Sequence, residues 1–336
     1  MTDRLRILRL LAVGLVLVAG GCSGCSGGGT PEATSPATVE QAQSIADPVV
    51  KLPNQDGSVK FAVLGDFGTG RKEQYDLGAT MAKVHETFSF ETVITVGDNI
   101  YGRQRAADFK NKFEEPYKGL LEKDVKFYAS LGNHDLREQP SYKLFNMEGK
   151  MYYTLKLGDN VRFFMLDTSY MTPEQTDWIK KELEGSNDEW KIAAFHHPLY
   201  SSGGRHGSDI RLRQTLEPLF VENGVSVVLT GHDHFYERIK PQHGIVYFVA
   251  GSGGKLAPGD INKSSPLTAR GFDTGLAFMV VEIVGDKMYF NTITTNGSVV
   301  DSGIIQRRMP VKDQKPEQAR QSGPTKAKTT QEGQSP

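Results

Sequence analysis

Apolar residues fall along the chain in short runs rather than long ones. Phe61–Leu64, Thr92–Val96, Lys126–Leu131, Val161–Leu166, Lys191–Phe195, Val225–Leu229 and Ile245–Ala250 are rich in β-branched and aromatic side chains. Each is bounded by turn residues, so each is predicted as a strand. Thr172-Pro173-Glu174-Gln175 predicts a helix start, with a capping threonine and proline at the first helical position. A second helix is predicted to open at Ser208 and stop at Asn223-Gly224. Leu276–Thr295 predicts two antiparallel strands joined at Gly285-Asp286. Alternating strands and helices, followed by a strand-rich end, predict a sheet-based α/β sandwich.

The two ends of the chain depart from this pattern. Residues 23–57 are dominated by Gly, Ser, Thr, Pro and Ala and predict a flexible tether. From residue 309 onward large apolar residues almost vanish, which predicts a disordered tail over 309–336. The expected catalytic domain is therefore 58–308, preceded by a leader (1–21) and a tether (22–57).

The leader carries Arg4, Arg6 and Arg9, then an apolar run from Leu10 to Val18, then Ala19-Gly20-Gly21-Cys22. The run is too short to span a bilayer comfortably and is followed by small residues, as in a signal peptide. Small residues directly before a cysteine resemble a bacterial lipobox. That resemblance implies cleavage before Cys22, lipidation of Cys22, and an exported, membrane-anchored protein on a periplasmic or extracellular face.

Composition adds mainly exclusions. A formal net charge of -1 over 336 residues gives no electrostatic case for nucleic-acid binding. The chain's two cysteines are Cys22 and Cys25, so the rest has neither an internal disulfide nor a thiolate metal cage.

Candidate chemistry sits just after five of the predicted strands: Gly65-Asp66-Phe67-Gly68, Gly97-Asp98-Asn99-Ile100-Tyr101, Gly132-Asn133-His134-Asp135, Phe195-His196-His197-Pro198 and Gly231-His232-Asp233-His234. In open α/β sheets ligand groups collect outside the carboxyl ends of strands, so these clusters can converge on one site. Their donors are oxygen and nitrogen, which suit Fe, Mn or Zn. His197, Asp135 and Asp233 are expected to support the site from behind. His85, on a predicted helix, is expected to face solvent.

The ordered set resembles the calcineurin-like metallophosphoesterase superfamily, from Asp66 to His234. Within it, Tyr101 three residues after Asp98, "GNHD", and the stretch from His196 to His206-Gly207 resemble the small, mammalian-type purple acid phosphatases. The resemblance implies a four-layer αββα sandwich and a binuclear centre. Asp66, Asp98, Tyr101 and His234 would hold one metal; Asp98, Asn133, His196 and His232 would hold the other, with Asp98 bridging. His134 and His206 would face the substrate phosphate. The implied metals are Fe(III) with Fe(II), Zn(II) or Mn(II), and the implied reaction is hydrolysis of a phosphate monoester by hydroxide generated on that centre. The substrate would be a phosphorylated small molecule or phosphoprotein. Two other readings stand beside it: a dizinc or dimanganese phosphodiesterase or nucleotidase of the same superfamily, and a non-catalytic surface lipoprotein that binds phosphate.

Overall fold

The computed structural model describes residues 50–313. The leader, Cys22, the tether up to residue 49 and the tail from residue 314 lie outside the described residues. In chain order the elements are β1 (Val59–Leu64), α1 (Lys72–Thr87), β2 (Thr92–Val96), α2 (Ala106–Phe109), a π-helical turn (Lys110–Glu114), α3 (Lys118–Leu121) and β3 (Lys126–Ser130). They continue as β4 (Tyr153–Leu157), β5 (Val161–Met165), α4 (Pro173–Gly185), β6 (Trp190–Ala194), α5 (Ile210–Glu222) and β7 (Val225–Thr230). The chain then turns strand-rich: β8 (Tyr236–Ile239), β9 (Val246–Ala250), β10 (Thr268–Phe272), β11 (Ala277–Val284), β12 (Lys287–Thr294) and β13 (Val299–Gln306).

The strands form two sheets, ordered β13-β12-β11-β1-β2-β3 and β10-β8-β9-β7-β6-β5-β4. In the first sheet β1, β2 and β3 form a parallel half that ends at the edge strand β3; in the second the middle strands β5, β6, β7 and β9 are parallel. Strands buried on both faces read as continuous apolar runs, which is why these were visible in the sequence. Side chains alternate between layers along a strand. On β5, Phe163 points into the core between the sheets and meets Phe61 of β1 edge-on, with ring centroids 5.1 Å apart. Its neighbour Phe164 points the other way, into the layer formed with α4 and α5 through Ile179, Leu183, Leu216 and Phe220. On the first sheet, α1 buries Leu77, Met81 and Val84, one helical stripe. The result is a helix–sheet–sheet–helix sandwich, as expected.

Local chemistry explains the helix starts. Thr172 Oγ1 accepts from Gln175 N at 3.2 Å ahead of Pro173, the expected cap. The start expected at Ser208 lies at Ile210 instead. Asp209 is the cap, its carboxylate accepting from Leu212 N at 2.9 Å. The Ser208 hydroxyl is occupied elsewhere, accepting from Ser201 N at 3.0 Å.

The last residues of the expected tether are in contact with the sandwich. Lys51 N donates to Asn291 Oδ1, and Asn54 N and Gln55 N donate to the buried Glu282 carboxylate at 2.6 and 2.7 Å. No helix among the described residues is long and apolar enough to cross a membrane.

Candidate metal centre

All five motifs emerge at the carboxyl ends of parallel strands, three in the first sheet and two in the second. Asp66 follows β1, Asp98 follows β2, and Asn133 and His134 follow β3. His196 follows β6; His232 and His234 follow β7. The chain must turn abruptly there to aim these side chains at one point. Asp66, Asp98 and His232 adopt left-handed backbone conformations, with φ of 55°, 51° and 72°. Such strain is unusual for non-glycine residues and is concentrated where a site needs it. It is braced by backbone donors: His232 N to Asp66 Oδ2 and His134 N to Asp98 Oδ1, both 2.9 Å. Gly132 is required by close approach, since a Cβ there would lie 2.2 Å from Asp98 Oδ1.

Two donor clusters result. In the first, the Tyr101 hydroxyl donates to Asp66 Oδ1 at 3.0 Å and lies 3.2 Å from His234 Nε2, itself 3.5 Å from Asp66 Oδ1. In the second, Asn133 Oδ1 is 3.1 Å from His196 Nε2 and 3.0 Å from His232 Nδ1, and those two nitrogens are 3.2 Å apart. Asp98 stands between them: its Oδ1 is 3.4 Å from His196 Nε2, and donor atoms of Asp66, Asp98 and His196 all lie within 4.8 Å of one another.

The comparisons with known proteins bear on what such an arrangement is. The sequence profile of the calcineurin-like phosphoesterases matches residues 59–236. The chain belongs to this family. It is 31% identical to purple acid phosphatase 4 of Arabidopsis thaliana over 281 residues, covering 71% of this chain and 81% of that protein. It is 25% identical to mouse tartrate-resistant acid phosphatase type 5, covering 60% and 74%. Among solved structures it is similar to GAP50, the anchor in the inner membrane complex of Plasmodium, with TM-score 0.65 and 19% identity over 79% of this chain and 93% of that one. The last similarity speaks for the fold alone. As a calcineurin-like phosphoesterase with acid phosphatase relatives, the protein is a metal-dependent phosphatase with a binuclear centre.

The electrostatics of the phosphoesterase site fit two cations. Asp66 and Asp98 are fully buried, and their ion-pair partners among the described residues are histidines of the site itself. Burial, then the neighbouring Asp98, holds the Asp66 carboxyl well above the usual range. Burial pushes His232 down to about 2 and His234 down to about 4, and His196 also lies well below its usual value. The imidazoles are therefore neutral, the state that binds a metal. His196 Nδ1 faces Val96 O at 2.9 Å. A carbonyl only accepts, so Nδ1 carries the proton and Nε2 keeps its lone pair. Asn133 Oδ1, His196 Nε2 and His232 Nδ1 thus share at most one proton, and their crowding is what a cation would relieve.

The surrounding layer is well furnished. Asp135 accepts from the backbone of Asn99, Ile100 and Gly132 and from Asn99 Nδ2, tying the motifs after β2 and β3 together. Asp233 accepts from the Ser201 hydroxyl rather than from an imidazole. His197 lies within reach of the second cluster, but its Nδ1 is 3.0 Å from the Thr168 hydroxyl. His134 is half exposed, with Nε2 4.0 Å from Asp98 Oδ2. His206 stacks near His232, ring centroids 4.3 Å apart, so the structure brings both expected phosphate-facing histidines to the site.

Lys255 was not foreseen. Its ammonium sits 3.7 Å from the centre of the Tyr101 ring, and its backbone N–H donates to Asp66 O at 3.1 Å. It lies in a loop without motif or periodicity, so the sequence offered no signal for it.

Proposed function

We propose that the protein is an acid phosphatase that hydrolyses phosphate monoesters at a centre of Fe(III) with a divalent Fe, Zn or Mn ion. The observation that carries this reading is the Tyr101 hydroxyl sharing one cluster with Asp66 and His234, because a phenol oxygen is a hard donor suited to a trivalent ion. Asp66, Asp98, Tyr101 and His234 would hold that ion, and Asp98, Asn133, His196 and His232 the divalent one. Once bound, the pair would supply positive charge to the phosphate and acidify water. The chain's own contributions are separate. Asp98 would be shared between the ions. Asp135 fixes the backbone beneath Asp98 and Asn133. His134, at the open side, can hand a proton to the departing alkoxide. His206, beside His232, can contact the phosphate.

Metal analysis, a visible spectrum and turnover of phenyl phosphate on the purified protein test this. An iron-dependent visible band with activity supports it. Activity in a colourless zinc or manganese protein would shift the reading to a phosphodiesterase or nucleotidase type. Full metal occupancy without turnover would favour a non-catalytic phosphate-binding protein. We further propose that Cys22 carries a lipid anchor on an exported protein; loss of the Cys22→Ala variant from the membrane fraction is the expected result, and absence of lipid label on the wild type would overturn it.

A further inference from the structure

Lys255 lies in the loop after β9, and that loop is pressed against the turn that carries Asp66. Gly253 N donates to Gly65 O at 2.9 Å, Lys255 N to Asp66 O at 3.1 Å and Ala257 N to His234 O at 2.9 Å. Gly254 passes so close to the same turn that a Cβ on it would overlap Phe67 O. The backbone around Lys255 is therefore fixed to two residues of the first donor cluster, Asp66 and His234.

The side chain completes the attachment. A lysine ammonium is strongly hydrated and normally reaches for water. Here it lies over the Tyr101 ring, 3.7 Å from the centre, and both residues are partly buried. This is the ring whose oxygen approaches Asp66 and His234. A cation over its face draws on the π electrons. Density held toward the ammonium is withheld from the phenol oxygen, and the added positive charge works against a highly charged ion in the same cluster.

We infer that Lys255 tunes the metal centre: its ammonium weakens Tyr101 as a donor and makes the ion of the first cluster easier to reduce. The inference rests on the phosphatase reading proposed above, in which Tyr101 helps to hold a trivalent ion. Lys255 acts through Tyr101; it is a positioning residue and takes no part in bond breaking.

The test compares Lys255→Met with Lys255→Arg. Both spare the backbone anchors, and the arginine alone keeps the charge. In the iron-loaded protein the visible band should move to longer wavelength in Lys255→Met and hold its place in Lys255→Arg, because without the ammonium the ring's electrons pass to iron more easily. A second readout needs no colour. With Zn(II) filling the second cluster, the ratio of Ga(III) to Zn(II) affinity at the first should rise at least roughly threefold in Lys255→Met. For Fe(III) against Fe(II), the same threefold corresponds to a fall of about 28 mV in reduction potential. A band or a ratio left unchanged overturns the inference. So does a variant whose one change is a higher KM, which would assign Lys255 to the substrate instead. If the iron-loaded wild type shows no visible band, it is the reading of Tyr101 on Fe(III) that falls. The affinity ratio then decides Lys255 by itself: a rise supports the tuning, and no rise overturns it.

Discussion

The Tyr101 hydroxyl donates to Asp66 Oδ1 at 3.0 Å, although the two residues stand 35 positions apart at the ends of neighbouring strands. Burial, then Asp66 and Asp98, raises the Tyr101 phenol above its ordinary value in the metal-free protein. A cation placed among these oxygens inverts that local balance and favours the phenolate.

Tyr101→Phe should therefore remove the colour of the iron-loaded protein while leaving its fold intact, because ring volume is kept. Hydrolysis should fall by no more than roughly 10–100-fold, since Asp66, Asp98 and His234 remain. Visible spectra at matched iron occupancy check this; identical spectra for wild type and variant would exclude Tyr101 as a ligand.

Asp98 lies 3.4 Å from His196 of the second cluster and also bears on the Tyr101 phenol of the first, whereas the closest side-chain partners of Asp66 are Tyr101 and His234 of the first cluster. Asp98→Asn is expected to lower metal content at both positions and to cut kcat/KM by at least roughly a hundredfold, more than Asp66→Asn. Metal analysis alongside activity is the check, and two metals per chain in an active Asp98 variant would refute the assignment.

Gly132→Ala should act on the same carboxylate from the other side. Its Cβ would fall 2.2 Å from Asp98 Oδ1, so either Asp98 or the backbone must move. We expect loss of metal binding together with about 1–3 kcal/mol of stability, the usual scale of overpacking. Gly185→Ala, where a Cβ meets nothing within 4 Å, is the neutral control. Unfolding midpoints and metal content of the two variants give the comparison.

Much of this site could be read before any coordinates, for a physical reason. Four of the five motifs follow an apolar run buried in a parallel strand (β1, β2, β6 and β7), the fifth following the edge strand β3, and a polar residue placed directly after an apolar run is exposed by its contrast. The strands that escaped notice lack that contrast. Tyr153–Leu157, Tyr236–Ile239, Thr268–Phe272 and Val299–Gln306 mix charges with apolar residues and are held by ladder hydrogen bonds at the sheet margins. Residues 51–55 look like tether because they are polar, yet it is their backbone that binds Glu282 and Asn291, which composition does not reveal. His85, expected to face solvent, packs edge-on to Phe90 at 5.1 Å.

Asp135 offers a pH test. Burial, then Asp98, lifts its carboxyl from 3.8 to about 7 in the metal-free protein. A folded value above the unfolded one means stability that is full below about pH 4 and lost as pH rises through about 7. Asp135→Asn should remove that contribution, flattening the fall in stability across this window by at most about 1.4 kcal/mol per pH unit. Denaturant unfolding of metal-free wild type and variant at about pH 5 and about pH 7 measures it; parallel pH profiles would contradict it.

Asp66, Asp98 and Asn133 belong to one sheet, while His196, His232 and His234 belong to the other. Ions held by both sets would rivet the sandwich at one rim, and the apolar interior would set the alignment of the rivet holes. A slip of one sheet past the other, of the kind that trimming Phe61 or Phe163 would permit, would thus be felt first as weakened metal retention, well before the fold itself gave way.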